Sequence, residues 1–174
     1  MAMCYPYCRF SSAGQEGNDS IRRQEELLTQ WMQRHPEHTL SPLKLRDLKM
    51  SSFRGKNIKS GDLGKFIALV KKENSPIEKN AILVIENLDR FSRLPPRQSL
   101  QHFNELINYG ITIQTLSPEM EITADNIDNN NMLFPVICTL QRAHEESKIK
   151  SARVKSYWAN LRKDNKFDQG HLPA

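Results

Sequence analysis

The chain has 174 residues, 38% of them hydrophobic, and a formal charge of +5, which is enough to bury one core and too little for a second full domain. Its longest apolar run, Ala81 to Ile85, is far too short to cross a bilayer, and MAMCYPYCRF lacks the charged start and long apolar stretch of a secretion signal, so a cytoplasmic protein with no membrane partner is expected. Cys4, Cys8 and Cys138 cannot pair evenly and have no Cys-x-x-Cys or clustered His beside them, which predicts reduced thiols and no metal.

Cys4 to Phe10 is uncharged until Arg9 and predicts an opening buried strand, provided Pro6 sits where the ladder needs no donor. Asp19 or Ser20 then caps a helix whose apolar face, Ile21, Leu27, Leu28, Trp31 and Met32, runs to about His35-Pro36. Leu40 to Leu48 fits a short strand or a helical turn, and Ser51 to Gly61 reads as an exposed loop. Leu63, Phe66, Ile67 and Val70 predict a helix from Asp62 to Lys72, and the apolar run Ala81 to Ile85 predicts a central parallel strand. Pro95-Pro96 open a further helix with Leu100, Phe103, Leu106 and Ile107 as its buried stripe and Gly110 past its end; Thr112 to Leu116 is a strand. After a polar, Asn-rich link, Met132 to about Lys163 reads as one long helix led by Leu133, Val136, Ile137 and Leu140. Its rising polarity predicts that it leaves the domain.

This alternation predicts an α/β fold with a mostly parallel central sheet and helices on both faces, followed by the long C-terminal helix. The pattern divides the chain into an α/β domain over residues 1–131, the long helix over 132–166 and a short tail over 167–174. Ligands of such sheets gather beyond the carboxyl ends of the strands. Two strand ends there carry chemistry: Arg9-Phe10-Ser11 and Asp89-Arg90-Phe91-Ser92-Arg93. Strand alternation puts Arg9 and Ser11 on one face with Phe10 on the other. Arg90 and Arg93 are three apart, on one side of a helical turn, and Asp89 can orient one of them. Three arginines converging on one anion suit a phosphoryl group under attack, whose equatorial oxygens gather charge, and supply fixed cations without an obligatory metal.

Each feature also has an ordinary reading: Ser-Ser-Ala-Gly as a plain turn, Asp89 and its arginines as a surface ion pair, the glutamines and glutamates as solvated positions. The stretch from Gly55 to Gly64 lacks the residue order of a P-loop. From Gln141 to Ala174 there are eight Lys or Arg against four acids, a basic end suited to a polyanion, with Arg153, Lys155, Arg162 and Lys163 as candidate DNA-backbone contacts.

Y-C-R-F-S-S-x-x-Q followed by S-I-R-R-Q, and then E-N-L-D-R-F-S-R, resemble in order and separation the two signatures of serine recombinases of the resolvase/invertase superfamily. F-R-G-K-N ahead of G-D-L-G-K-F, and R-A-H-E-E-S-K-I-K-S, are similar to the large serine recombinases of bacteria and prophages, so the resemblance covers nearly the whole chain. It implies that Ser11 attacks a DNA phosphodiester to give a 5′-phosphoserine link and a free 3′ hydroxyl. It assigns Arg9, Arg90 and Arg93 to phosphate binding and Asp89 to positioning an arginine or handling the leaving-group proton. Gln15, Gln24 and one of Glu145 or Glu146 match supporting positions. Where resolvases carry a further basic residue, this chain has Asp62, which leaves Lys65 or Arg54 as substitutes. The resemblance also implies that residues 1–131 are the catalytic domain, that the helix over 132–166 serves oligomerisation and the DNA backbone, and that 167–174 is a truncated linker to a DNA-binding region outside the chain; it implies double-stranded DNA as partner, a homodimer that forms a synaptic tetramer, and no cofactor. The alternatives are a noncatalytic prophage-derived remnant that keeps the fold, with oligomerisation or nonspecific DNA association, and, more remotely, an unrelated phosphate-binding α/β domain.

Overall fold

The computed structural model describes residues 1–10, 15–48 and 55–163, with side chains for all of these but 10, 15–18, 48, 56 and 163. Strand β1 (Met3–Phe10) pairs in parallel with β4 (Ile82–Ile85), β4 with β5 (Thr112–Leu116), and β5 turns back antiparallel into β6 (Glu119–Ile122). The other edge of β1 is shared end to end by β2 (Thr39–Leu40) and β3 (Leu45–Leu48), both parallel to it. The helices are α1 (Gln15–Arg34), α2 (Lys56–Lys59), α3 (Asp62–Val70), α4 (Leu88–Phe91), α5 (Pro96–Asn108) and α6 (Asn130–Lys163). The result is a six-stranded, mostly parallel α/β sheet with a long terminal helix, as the alternating pattern predicts.

Pro6 fits β1 for a specific reason. The carbonyls of Ala2 and Cys4 accept from Thr39 and Ser41 on the β2 edge, so the period of two turns Pro6 towards that same edge. There β2 ends at Leu40 and β3 starts only at Leu45, pairing with Tyr7. The missing N–H falls in the gap.

Alternation also builds the layers. Tyr5, Tyr7, Leu83, Ile85 and Ile113 face a core closed by Phe66 of α3, Phe103 and Leu106 of α5, and Val136 and Leu140 of α6. Cys4, Ile82 and Val84 face the opposite way, onto Leu28, Trp31 and Met32 of α1. Each large apolar side chain buried this way contributes about 1.5–3 kcal/mol. All four residues of β4 are buried, as a central strand requires. Helix α5 closes with the N–H of Gly110 on the Ile107 carbonyl and that of Ile111 on the Leu106 carbonyl, and Gly110 at φ 81° supplies the left-handed residue this ending needs. On α6, Val136, Leu140, Ala143 and Ser147 are buried, whereas residues 148–157 are all exposed. The inner half of the helix docks on the domain and the outer half projects from it. Among the described residues, no helix is long and apolar enough to cross a membrane.

Four expectations need correction. Helix α1 begins at Gln15, so Asp19 and Ser20 lie inside it: Asp19 faces Arg22, and the Ser20 carbonyl and hydroxyl accept from the Gln24 amide. The stretch read as an exposed loop contains α2, with Asn57 fully buried; residues 51–54, Arg54 among them, lie outside the described residues. The link before the long helix contains β6, whose only buried residue is Ile122, a pattern too polar to stand out in sequence. Helix α6 starts at Asn130, with the Asn129 side chain accepting the Asn131 N–H at 3.0 Å. Leu40 to Leu48, left open between strand and helix, supplies β3 and the last residue of β2. Residues 164–174 lie outside the described residues.

One buried polar network fixes the layer on which the site rests. Asp47, at the end of β3 and 2% exposed, accepts from the Tyr7 hydroxyl at 2.9 Å and from the Asp62 N–H at 2.7 Å, so it caps α3 from another strand. Asn57 donates to the Tyr7 oxygen at 3.3 Å and to the Phe91 carbonyl at 2.9 Å. Burial, reinforced by the Asp47 charge, holds the Tyr7 phenol well above its ordinary pKa, so the proton stays on Tyr7. Gly61 leaves no room for a side chain, since a Cβ there would meet Asp47 Oδ2 at 2.5 Å. Asp47→Ala is therefore expected to lose about 2–4 kcal/mol, and Tyr7→Phe about 1–2 kcal/mol, because each strands buried partners. Urea unfolding midpoints at constant m-value check this; a smaller loss for Asp47→Ala than for Tyr7→Phe would contradict the network.

Candidate active site

The site lies beyond the carboxyl ends of β1 and β4. The first turn after β4 is short and strongly specified. Asn87 accepts the Asp89 N–H through its side chain at 3.3 Å and donates to the Ser117 carbonyl at 2.6 Å, which pins the start of α4 to the end of β5. Leu88 and Phe91 are fully buried, so Asp89 and Arg90 are turned outward. Ser92 is also buried, accepting from the Leu94 N–H and the Ser99 hydroxyl, and its extended backbone ends the helix before Arg93. Arg93 thus reaches Asp89 from beyond the helix and not from a shared helical face, which corrects the spacing argument.

Arg9 projects from β1 underneath this turn. It is 1% exposed, and its Nε and Nη2 donate to the Arg90 and Asp89 carbonyls at 3.0 and 3.1 Å. Asp89 Oδ2 lies between the other two guanidiniums, 3.3 Å from Arg90 Nη1 and 3.7 Å from Arg93 Nη2. Burial first, then the charges of Arg93 and Arg90, lower the Arg9 pKa to about 10, which leaves it protonated at neutral pH. For Arg90 burial acts in the same lowering direction, but Asp89 and Glu86 outweigh it and raise the pKa above the usual value.

Sequence inspection missed Glu86, Arg23, Arg142 and Ser147. Glu86, 8% exposed, binds Arg90 Nε at 2.8 Å and Arg23 Nη2 at 2.5 Å, which joins α1 to α4 across the end of the sheet. Its four-residue spacing from Arg90 in E-N-L-D-R was the available signal. Arg23, Glu86, Asp89, Arg90, Arg142 and Glu146 line an open polar cleft of about 430 Å³ between α1, α4 and α6. Arg93 is held from α6: its carbonyl lies 3.0 Å from His144 Nδ1, and its Nη1 lies 3.5 Å from the Ser147 hydroxyl. The Arg93 Nε is buried and has no hydrogen-bond partner among the described residues.

The other candidates are placed as follows. Ser11 lies outside the described residues, two positions beyond Arg9, and the Gln15 side chain is likewise not described. Gln24 is buried on the α1 side of the sheet and lines a second, mainly apolar cleft with Cys8, Leu28 and Val84, which Glu86 shares with the polar one. Lys65 is exposed and bound to Asp62 at 2.9 Å, which raises its pKa, and it does not reach the cluster. Of the two helix acids, Glu146 lines the polar cleft and Glu145 faces Lys148 at 3.8 Å. Arg153, Lys155 and Arg162 are exposed on the outer half of α6; the Lys163 side chain is not described.

The family described as Resolvase, N terminal domain matches residues 4–167. The chain belongs to this family. YbcK of Escherichia coli (strain K12) is 34% identical to this resolvase-family chain over 164 residues, which are 94% of the chain and 32% of YbcK. The chain thus spans about a third of the length of the curated relative it matches. A resolvase family site-specific recombinase from Streptococcus pneumoniae has a crystal structure similar to this one, with TM-score 0.55 and 14% identity, covering 95% of this chain and 100% of that one. At that identity the likeness establishes the fold, an α/β domain with a long terminal helix.

The mutual repulsion of three guanidiniums and the long contacts of the Arg93 Nη atoms predict anion binding. Millimolar inorganic phosphate is expected to raise the Tm of the resolvase-family chain above that in chloride at equal ionic strength, and Arg93→Ala is expected to abolish the difference. An equal rise in both proteins would mean that phosphate acts only through exclusion from the surface.

Proposed function

We propose that this resolvase-family chain is the catalytic domain of a site-specific DNA recombinase of the large serine recombinase subgroup, and that Ser11 is its nucleophile. The observation that carries the reading is the packing of Arg9, Arg90 and Arg93 around Asp89 at the strand ends, in the two segments that bear the family signatures. Family membership supports a recombinase-type function for the domain. In this reading the Ser11 Oγ attacks the scissile phosphorus. A phosphorus–oxygen bond to serine forms, the bond to the 3′ oxygen breaks, and the leaving oxygen takes a proton. Attack by a 3′ hydroxyl on the phosphoserine reverses the step and reseals the strand, so no nucleotide hydrolysis is needed.

The arginines have separable tasks. Arg93, whose Nη atoms are held only loosely, at 3.7 Å from Asp89 and 3.5 Å from Ser147, contacts a non-bridging phosphate oxygen. Arg90, clamped by Glu86 and Asp89, holds positive charge at a fixed place. Arg9 fixes the turn that carries both. Donors fixed in advance stabilise the charge that grows on phosphoryl oxygens without reorganising during the reaction. The partner is double-stranded DNA, held by a dimer that assembles into a tetramer through α6, with Arg153, Lys155, Arg162 and Lys163 along the backbone.

A nicked suicide duplex made from the DNA flanking the gene, offered to the full-length protein, tests the proposal. A covalent adduct on Ser11, seen by peptide mass spectrometry, is expected for the native protein and absent from Ser11→Ala. Arg93→Ala is expected to form it about 10²–10³-fold more slowly, the usual cost of removing one charge-stabilising donor. If native protein binds that DNA and never forms the adduct, the noncatalytic remnant reading replaces this one.

A further inference from the structure

We propose that His35, Glu37 and His38, in the turn between α1 and β2, form a binding site for a late first-row divalent metal ion of the Zn²⁺ class. The sequence passes over it, because H-P-E-H matches no common zinc spacing. The backbone that carries the three residues is tightly tied. The His35 N–H donates to the Trp31 carbonyl at 3.1 Å, ending the helix; the His38 N–H donates to the His35 carbonyl at 3.2 Å, closing the turn; and the Thr39 N–H enters the sheet on the Ala2 carbonyl at 3.0 Å. Pro36 occupies the second turn position, where its fixed φ is already suitable.

The side chains are held as firmly. Trp31, 2% exposed, stacks on His35 at 4.5 Å between ring centroids and on His38 at 5.6 Å. The two imidazoles lie 6.0 Å apart and 22° from parallel. His35 Nδ1 lies 3.2 Å and His38 Nε2 3.4 Å from the same carboxylate oxygen, Glu37 Oε1. Metal–ligand bonds of about 2.0–2.2 Å in tetrahedral geometry put neighbouring donor atoms about 3.3–3.5 Å apart, so two edges of the polyhedron already have the right length. The three donor atoms all lie within 4.8 Å of one another, and a small side-chain rotation closes the third edge.

The remaining ring nitrogens fit the same assignment. His38 Nδ1 is buried without a partner, so Nε2 is the atom of that ring able to meet an ion. His35 Nε2 faces Glu119 Oε1 of β6 at 3.8 Å, while Arg34 holds the other Glu119 oxygen at 2.8 Å. A carboxylate behind a metal-bound imidazole sets its tautomer and raises its basicity. Two imidazoles and one carboxylate suit zinc and its neighbours over magnesium or calcium, and leave a fourth position for water. The ion would bridge the end of α1 to the β2 edge.

Titration of the chelator-stripped chain with zinc chloride tests the proposal. One saturable site with proton release is expected. Glu37→Gln, an isosteric change at an exposed position, is expected to weaken binding about tenfold or more, as is His38→Ala, and Glu119→Gln by a smaller factor. Cobalt(II) in place of zinc is expected to give tetrahedral visible bands without thiolate charge transfer, which separates this site from Cys4, Cys8 and Cys138. Absence of saturable binding, a thiolate band, or unchanged affinity in both Glu37→Gln and His38→Ala overturns it.

Discussion

Guanidinium groups packed together repel one another, and in a protein interior water does little to damp that repulsion. Arg9 is buried close enough to Arg93 and Arg90 for both to lower its pKa, and it stays in place because two backbone carbonyls receive its donors. Those carbonyls belong to one turn of helix. Arg9 can therefore be satisfied only when α4 has formed at the end of β4 and β4 is in register with β1, which pairs Tyr7 with Ile85. A slip by one residue would turn Arg9 to the α1 side and leave a charge without acceptors. The same contact that fixes the sheet fixes the cationic cluster.

The long helix takes part in that cluster and does not merely extend from it. Arg93 touches α6 twice, through its carbonyl and His144 and through its guanidinium and Ser147, and Glu146 lines the neighbouring cleft one residue before Ser147. The inner half of α6 is anchored by Val136 and Leu140 in the main core. Its outer half carries exposed Ile149, Val154 and Tyr157 next to the basic residues. Under the proposed reading, whatever engages the outer half pulls on the element that orients Arg93. Assembly and phosphate contact then share one rigid lever.

Sequence made the framework legible where apolar periodicity is strong. The buried β4, the α3 and α5 stripes and the glycine ending of α5 all follow from patterns within a dozen residues. Beyond that range the reading weakens. Strand β6 buries only Ile122, and helix α1 starts a turn earlier than its hydroxyl-bearing residues suggest. In the site, the motifs gave roles to Arg9, Asp89, Arg90 and Arg93 but none to Asp47, Glu86 or Ser147, although Glu86 and Ser147 stand inside motif stretches. Their roles come from partners far away in the chain, such as Asp47 with Tyr7 and Ser147 with Arg93, and no local pattern encodes such pairs. Gln24 shows the converse: its position in a motif gives no information about which side of the sheet it faces.

Carboxylates inside an anion site look self-defeating, since Glu86, Asp89 and Glu146 compete with phosphate for the same donors. Their positions resolve the conflict. Glu86 and Asp89 take the Nε and Nη1 of Arg90 and so fix its plane, while Asp89 reaches Arg93 only at 3.7 Å and leaves Arg93 Nε unmet among the described residues. A buried donor without an acceptor costs about 1–3 kcal/mol, and burying like charges beside it costs more. A domain that served only as a scaffold would gain stability by replacing Arg93 with an apolar residue of similar volume. An anion seated against the cluster would offset part of that repulsion, which is the physical link between the packed arginines and the proposed phosphate chemistry.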